Sequence, residues 1–560
     1  MDIKRNALIL ALAIVSYMLL LAWNEDFPAQ NGADTSAQTE ADLSVPAVNL
    51  PATDGGDLPQ APATAAATAR APVATAAQTL ITVTTPSQVV TIDPLGGDIV
   101  NITLPKYPAS LDRQDDPFNL MYSGGRGVYV AQSGLIGRDG PDAAPTGRPR
   151  FQAVASTYQL DEGELAVDLV HTTANDVEIT KRFIFTADDY LIGVQYLIAN
   201  RGSSEWSGNL FAQIKRDRAP DPSSVSGFGI NTYLGAVFTS IDDPYVRVDF
   251  DDMDDDTETT SMPGGWIGFS QHYFLGGWIG PETVMNRYET RRNATTGEYL
   301  MGFVSAPSVA AAGQQTSIET ALWAGPKDQY RLEAIAPDLG LTIDYGKLWF
   351  VAYPIFWLLS QINSQVGNFG WSIILLTLVI RMAFYPLSAK QYQSQASMKR
   401  LQPKIAQLKE RYGDDKQKFM QAQMELWKKE GVNPFGGCLP VLLQMPVFLG
   451  IYWVLNESVE LRQASFIFWY EDLSTLDPYF ILPLLLGGAY YLQQHMMPMM
   501  TTDPTQAKVM KFMPVMFTVF FLWFPAGLVL YYLVNALLGI LQQWYFTWRL
   551  ERSASARAGD

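Results

Sequence analysis

The chain has 560 residues, 48% of them hydrophobic and 17% charged, with a mean hydropathy of +0.02 and a single cysteine, Cys438. This composition excludes a disordered tail, a collagen and a disulfide-stapled miniature domain, and a lone cysteine leaves no intramolecular disulfide. Residues 24–340 carry 19 Lys and Arg against 41 Asp and Glu, a net charge of −22, while the rest of the chain nets +5, so an acidic block that reads as water-facing is joined to a hydrophobic, mildly basic one.

Residues 1–23 begin with Lys4 and Arg5 and continue as an apolar run from Ala7 to Trp23. A basic flank followed by one bilayer's length of helix reads as a signal anchor with its N-terminus in the cytoplasm. The length of the run, and the lack of a small-x-small site directly after Trp23, favour this over a cleaved signal peptide. Residues 24–79 reduce to Ala, Thr, Pro, Gly and acids and read as a flexible linker. From 80 to 337 the pattern changes to short alternating β-branched runs, such as 177–185 and 190–198, separated by turn signals at 94–97 and 200–202. This predicts one large, mainly antiparallel β-sandwich on the exported side. The acidic cluster 249–258 has neither a Gly hinge nor EF-hand spacing and reads as a solvated loop in preference to a calcium loop.

Beyond residue 338 the hydrophobic segments arrive in series. The run 349–359 is short and interrupted by Pro354, so 338–365 is expected to be an amphipathic helix lying at the membrane interface. Residues 366–387 are long enough to cross, and the loop that follows, 388–433, holds ten Lys and Arg against five acids. The positive-inside rule puts that loop in the cytoplasm, so only one of these two runs crosses. Residues 434–548 supply four further spans, at 435–455, at 478–497 and in a 36-residue run from 510 to 545 that Phe524, Pro525, Ala526 and Gly527 break in two. Six spans result, with the acidic loop 456–477 outside and the short tail 549–560 in the cytoplasm. Residues 24–340 are then periplasmic and both termini cytoplasmic.

Arg381 stands among apolar neighbours inside the second span, where a charge marks function by default; snorkelling to nearby headgroups is the ordinary alternative. Thr377 lies one turn earlier on the same face. Gln444, Gln493, Gln494, Trp523, Tyr531 and Tyr532 add polar atoms to later spans. Each could simply bond a neighbouring helix, but together with Arg381 they suggest a hydrated cavity open to the cytoplasm. The loop 388–433 reads as a helical hairpin turning at Gly413, with Leu401, Ile405 and Leu408 on one face and Lys399, Arg400, Lys404, Lys409 and Arg411 on its basic side. That side suits anionic lipid or ribosomal RNA, or is simply a solvated face. The sequence holds three histidines (His171, His272, His495), no Cys/His metal spacing, no Walker loop, no dinucleotide fingerprint and no GxSxG, so it names neither a reaction nor a fuel.

The motifs Arg381-Met-Ala-Phe-Tyr-Pro-Leu, Leu401-Gln-Pro-Lys-Ile, Asn433-Pro-Phe-Gly-Gly-Cys-Leu-Pro, Gln444-Met-Pro-Val-Phe and the long run from Phe512 to Tyr532 closely resemble the YidC insertases of bacterial membranes. The N-terminal anchor and large exported domain are similar to the Gram-negative form. The resemblance implies a five-span core, without the anchor, around a groove open to cytoplasm and lipid. In that groove Arg381 supplies positive charge, Thr377, Gln494, Trp523 and Tyr532 match other polar positions, and Met445, Phe448, Met516 and Phe520 match the side along which an incoming helix slides. It further implies a hairpin that receives nascent chains and an exported domain of supersandwich type. The implied function is that of an inner-membrane insertase and chaperone, not an enzyme, without cofactor or metal. Its partners would be nascent membrane proteins, the Sec translocon, the ribosome and signal recognition particle pathway, and lipids, but not DNA. The rival readings are a transporter or channel built on Arg381, which lacks paired intramembrane carboxylates, and a carbohydrate-active exported domain, which would need acid and base groups such as His171 or His272.

Overall fold

A computed structural model describes residues 57–59, 79–125, 127–145, 147–224, 232–412, 415–432, 439–496 and 504–558. The expected anchor, most of the linker and the hairpin turn at Gly413 lie outside the described residues.

Alternation in the acidic half produces two sheets that share one apolar core. The eleven-stranded sheet runs from Glu258–Pro263 through Met285–Arg292, Tyr299–Ser305, Trp206–Arg216, Gly127–Ile136, Arg113–Gly124, Asp98–Ser110, Val89–Asp93 and Ile81–Thr84 to Thr157–Gln159, with Ser308–Ala310 beside Trp206–Arg216. The nine-stranded sheet runs from Val246–Val248 through Gly235–Phe238, Trp266–Ser270, Phe274–Ile279, Gln315–Pro326, Leu191–Asn200, Val177–Thr186 and Glu164–Thr172 to Gln152–Ala153. Pairing is antiparallel throughout except between Ile81–Thr84 and Thr157–Gln159. In the hairpin Val177–Thr186/Leu191–Asn200 the register sets Phe183 opposite Val194 and Phe185 opposite Ile192, and all four are buried. Lys181 occupies an inward position of the same strand and is fully buried. Its amine donates to the carbonyls of Gly97, Ser133 and Gly96 at 2.7, 3.0 and 3.1 Å, while burial pulls its titration down to about 7.

The acidic cluster corrects the sequence reading, because Phe250–Asp255 is a helix, α1, and not a loop. Asp249 caps it by accepting from the amides of Asp251 and Asp252, while Phe250 and Met253, three apart, bury the inner face. Arg218 neutralises Asp251 and Asp254. A second short helix, α2 (Gln329–Ile335), closes the domain.

The hydrophobic half consists of α3 (Trp349–Val366), α4 (Phe369–Ala383), α5 (Tyr385–Tyr412), α6 (Lys416–Lys429), α7 (Leu439–Glu457), α8 (Ile481–Met496), α9 (Pro504–Phe520) and α10 (Ala526–Ala558). The run expected to cross as one piece over 366–387 is divided. α4 stops at Ala383, and α5 leaves at 66° to it. Pro386 fits the break at Phe384, because it lacks an amide to bond the Met382 carbonyl and so cannot continue the ladder of α4, while its fixed φ suits the first turn of α5. The broken hairpin at 524–527 takes the form of a 3₁₀ turn, Phe521–Trp523, between α9 and α10. Among the described residues, α10 between Ala526 and Arg549 is the one helix long and apolar enough to cross a bilayer unaided, and α4 meets that test only together with α5. The basic hairpin is α5 and α6, joined by a Lys404–Glu430 ion pair at 2.5 Å.

The loop after α7 ties the two halves together. Arg462 donates to the Pro108 carbonyl at 2.8 Å and stacks over Phe118 and Phe274, and Gln463 reaches the same carbonyl at 3.0 Å. His272, buried in the turn before Phe274–Ile279, donates through Nε2 to the Asn456 carbonyl at 3.0 Å. Burial, reinforced by nearby Lys327, pushes the imidazole down to about 4, although Asp221 opposes the shift. An unfolded histidine titrates near 6.5, so the folded chain holds fewer protons between these values and this junction loses stability as pH falls from about 6.5 to about 4. Burial pushes the neighbouring carboxyls of Glu457 and Glu460 up to about 7, which acts in the opposite direction, so the readout is a difference: over that window the wild-type chain should lose about 3 kcal/mol more than His272→Gln, measured by their thermal midpoints. Identical pH profiles for the two proteins would contradict the assignment.

Candidate functional site

The second apolar core packs α3, α4, α7, α8 and α10 through Phe356, Leu359, Ile373, Leu376, Ile380, Ile451, Leu486 and Val529. Arg381 ends α4 inside this bundle at 8% exposure. Its Nη2 donates to the backbone carbonyl of Asn535 on α10 at 2.7 Å. Its Nε is buried without a hydrogen-bond partner, and no carboxylate pairs with it among the described residues. A guanidinium in low dielectric with incomplete solvation is a standing positive potential.

α10 presents a matching face. Tyr531, Asn535, Gly539 and Gln543 follow at four-residue spacing and are all buried. Gly539 is the point of closest approach, since a Cβ there would lie 3.0 Å from Arg381 Nη2 and 3.2 Å from Gln493 Nε2. The Gly539 carbonyl accepts from the hydroxyl of Tyr392 on α5 at 3.1 Å, and the Tyr392 ring stacks on Phe546. One glycine therefore lets α4, α5 and α8 bring polar groups to the same turn of α10. The hydroxyl of Tyr531 and side-chain atoms of Gln395, Gln444, Gln542 and Gln543 are likewise buried without partners among the described residues. Such clustering of unsatisfied donors and acceptors is unusual in a folded interior.

The other expected residues take varied places. Thr377 is fully buried, and its hydroxyl bonds its own helix at the Ile373 carbonyl, 2.6 Å away. Gln494 donates to the Met510 carbonyl and links α8 to α9. The same two helices touch closely at Gly487, where a Cβ would overlap Thr518 Oγ1. Trp523 is exposed in the α9–α10 turn. An aromatic chain joins Phe448 to Tyr532 (5.7 Å), Tyr532 to Phe521 (4.8 Å) and Phe521 to Phe520 (5.5 Å). Phe448 and Phe520 thus belong to one wall. Met445 is exposed on α7, and Met516 is exposed on α9 beside Phe512, Val515 and Val519. Lys399, Arg400, Lys404, Lys409 and Arg411 are all exposed on α5, while Met398 and Leu401 are buried.

Asn535, Gly539, Tyr392, Gln395 and Gln543 escaped the sequence reading. The four-residue stripe beginning at Tyr531 was the signal that could have found three of them. Gly539→Leu should force the guanidinium off the Asn535 carbonyl and cost roughly 1–3 kcal/mol of stability, whereas Gly539→Ala, with gained helix propensity offsetting a small shift, should stay within about 1 kcal/mol. Unfolding of both variants in detergent measures this, and equal stability would mean that the contact is not tight.

The family described as YidC periplasmic domain matches residues 80–358, and that described as 60Kd inner membrane protein matches residues 361–553. A membrane protein insertase YidC of Pseudomonas fluorescens (strain Pf0-1) is 49% identical over 98% of this chain and 99% of its own length. The one from Pseudomonas putida (strain W619) is 49% identical over the whole of both chains, and that of Azotobacter vinelandii (strain DJ) is 48% identical over 99% and 100%. A crystal structure of an active YidC insertase with its first transmembrane domain resolved covers 84% of this chain and 93% of its own, at 19% identity and a TM-score of 0.37. On the full-length identities the chain belongs to the YidC family of membrane protein insertases.

Proposed function

We propose that this chain inserts nascent membrane proteins through a polar recess between α4, α8 and α10, with the exposed apolar flank of α7 and α9 as the surface along which the incoming helix passes. The observation that carries this reading is Arg381, a buried and incompletely solvated cation beside several unpartnered polar atoms. An aspartate taken to the centre of a bilayer costs ~3 kcal/mol on insertion scales. Wet, positively charged surroundings near Arg381 shorten the apolar distance that a polar or acidic tail must cross. The helix that follows then gains ~0.8 kcal/mol for each CH₂ it places in lipid, which drives the step without nucleotide.

In this reading the core crosses five times and an N-terminal anchor over residues 1–23 adds a sixth span. The exported β-domain is then periplasmic, and both termini are cytoplasmic. α3 lies at the interface, a placement that its exposed Trp349, Phe350, Tyr353 and Trp357 favour. The hairpin α5–α6 receives nascent chains on the cytoplasmic side. Its exposed cations suit ribosomal RNA, anionic lipid headgroups or the signal recognition particle pathway, and the Sec translocon is a further partner.

Reversing the charge at Arg381 changes its interaction with an acidic group ~8 Å away by ~4 kcal/mol at an effective dielectric of ~20. Arg381→Glu should therefore impair insertion of substrates with acidic exported tails at least about tenfold more than of those with neutral tails, measured by protease protection in reconstituted vesicles. Equal losses for both substrate classes would remove the attraction of charge from the mechanism.

A further inference from the structure

Within the linker, residues 57–59 are described, and they are seated on the β-domain. Their contacts fall on consecutive strands of the eleven-stranded sheet. Lys215 Nζ meets Asp57 Oδ2 at 2.7 Å, and Asn293 Nδ2 donates to Asp57 Oδ1 at 2.9 Å. The Asp57 backbone carbonyl accepts from Gln213 Nε2 at 2.6 Å and from Arg291 Nη2 at 3.4 Å. Leu58 then packs on a separate apolar patch of Ile136, Phe211 and Val304, and Pro59 is buried and lines one small cavity with Arg291 and Val304.

The arrangement has the properties of a recognition site. Phe211, Gln213 and Lys215 alternate along one strand and face away from the inter-sheet core, to which Leu210, Ala212 and Ile214 contribute. Lys215 is held from its other side by Glu298 at 2.7 Å, so the ammonium is already aimed before the aspartate arrives. Both carboxylate oxygens and the following carbonyl of one residue are read by four different side chains, and the next residue fills an apolar socket. Sequence composition gives no reason for such a fixed point in an Ala/Thr/Pro-rich stretch.

We propose that this face of the β-domain is a peptide-binding site for the pattern Asp-Leu-Pro, occupied in cis by residues 57–59 of the chain's own linker. The site pins the linker at one place and divides it into 24–56 on one side and 60–78 on the other. With the pin in place the connection to the N-terminal segment is limited to residues 24–56, at most ~115 Å of extended chain; released, it is 24–79, ~190 Å.

A photocrosslinking residue in place of Leu58 in the full-length chain tests it. The expected adduct lies on peptides carrying Phe211 or Val304, and Asp57→Lys, a change confined to the linker, should reduce its yield about tenfold, as for loss of a partly buried charge-assisted contact. As a second measurement, the double variant Asp57→Ala, Leu58→Ala vacates the site. It should bind a labelled hexapeptide of sequence 55–60 in trans, while the wild-type chain, whose tethered copy acts at an effective concentration of about a millimolar, should not. Adducts scattered over other surfaces, or unchanged by Asp57→Lys, would overturn the proposal, as would equal peptide binding by the wild type and the vacated variant.

Discussion

The guanidinium of Arg381 rests on a backbone carbonyl of a neighbouring helix inside an otherwise apolar bundle, and much of the membrane half is organised around that contact. An isolated charge in such surroundings is costly, so the helices must bring it polar atoms. α10 offers Asn535 through its backbone, and Gly539 removes the side chain that would keep Arg381 and Gln493 at a distance. The break between α4 and α5 follows directly after Arg381 and turns the chain so that Tyr392 also reaches Gly539. The solvation supplied is partial: Nε and several amide oxygens remain unpartnered among the described residues. A bundle selected only for stability would have closed that gap with apolar side chains. Unpartnered polar atoms beside an exposed apolar flank fit a protein whose guest supplies the missing contacts.

Much of this was legible in the sequence. Arg381 was conspicuous because nothing around it was polar, and the basic hairpin was conspicuous because ten cations follow a long apolar run. The β-domain announced itself through strict alternation, and the hairpin 177–200 obeys that alternation residue by residue. What escaped was chemistry that depends on tertiary neighbours. Asn535 acts through its backbone carbonyl, which no side-chain motif encodes. Thr377 looked like part of a polar stripe, yet its hydroxyl is satisfied by its own helix. Pro386 sits within a run apolar enough to cross, and its missing amide shows only in the bend between α4 and α5. The charges of the acidic cluster hide the Phe250/Met253 face and the Asp249 cap, which is why its pattern reads as a loop.

The two halves are joined by specific contacts and not only by continuity of the chain. His272, kept neutral by burial, bonds the carbonyl at the end of α7, and Arg462 bridges the next loop to the strand Asp98–Ser110. These contacts tie the β-domain to α7, the helix that carries Gln444, Met445 and Phe448. The pinned Asp57 adds a second fixed point, this time between the linker and the sheet.

The most direct test of insertion along the α7–α9 flank places a photocrosslinking residue at Phe448, in the aromatic wall shared with Tyr532, and presents a ribosome-stalled nascent single-span protein. Capture at Phe448 that disappears when the nascent span is made polar is the expected result. The absence of any adduct there, with adducts confined to the β-domain, would contradict it and leave the chain acting on its clients from the periplasmic side.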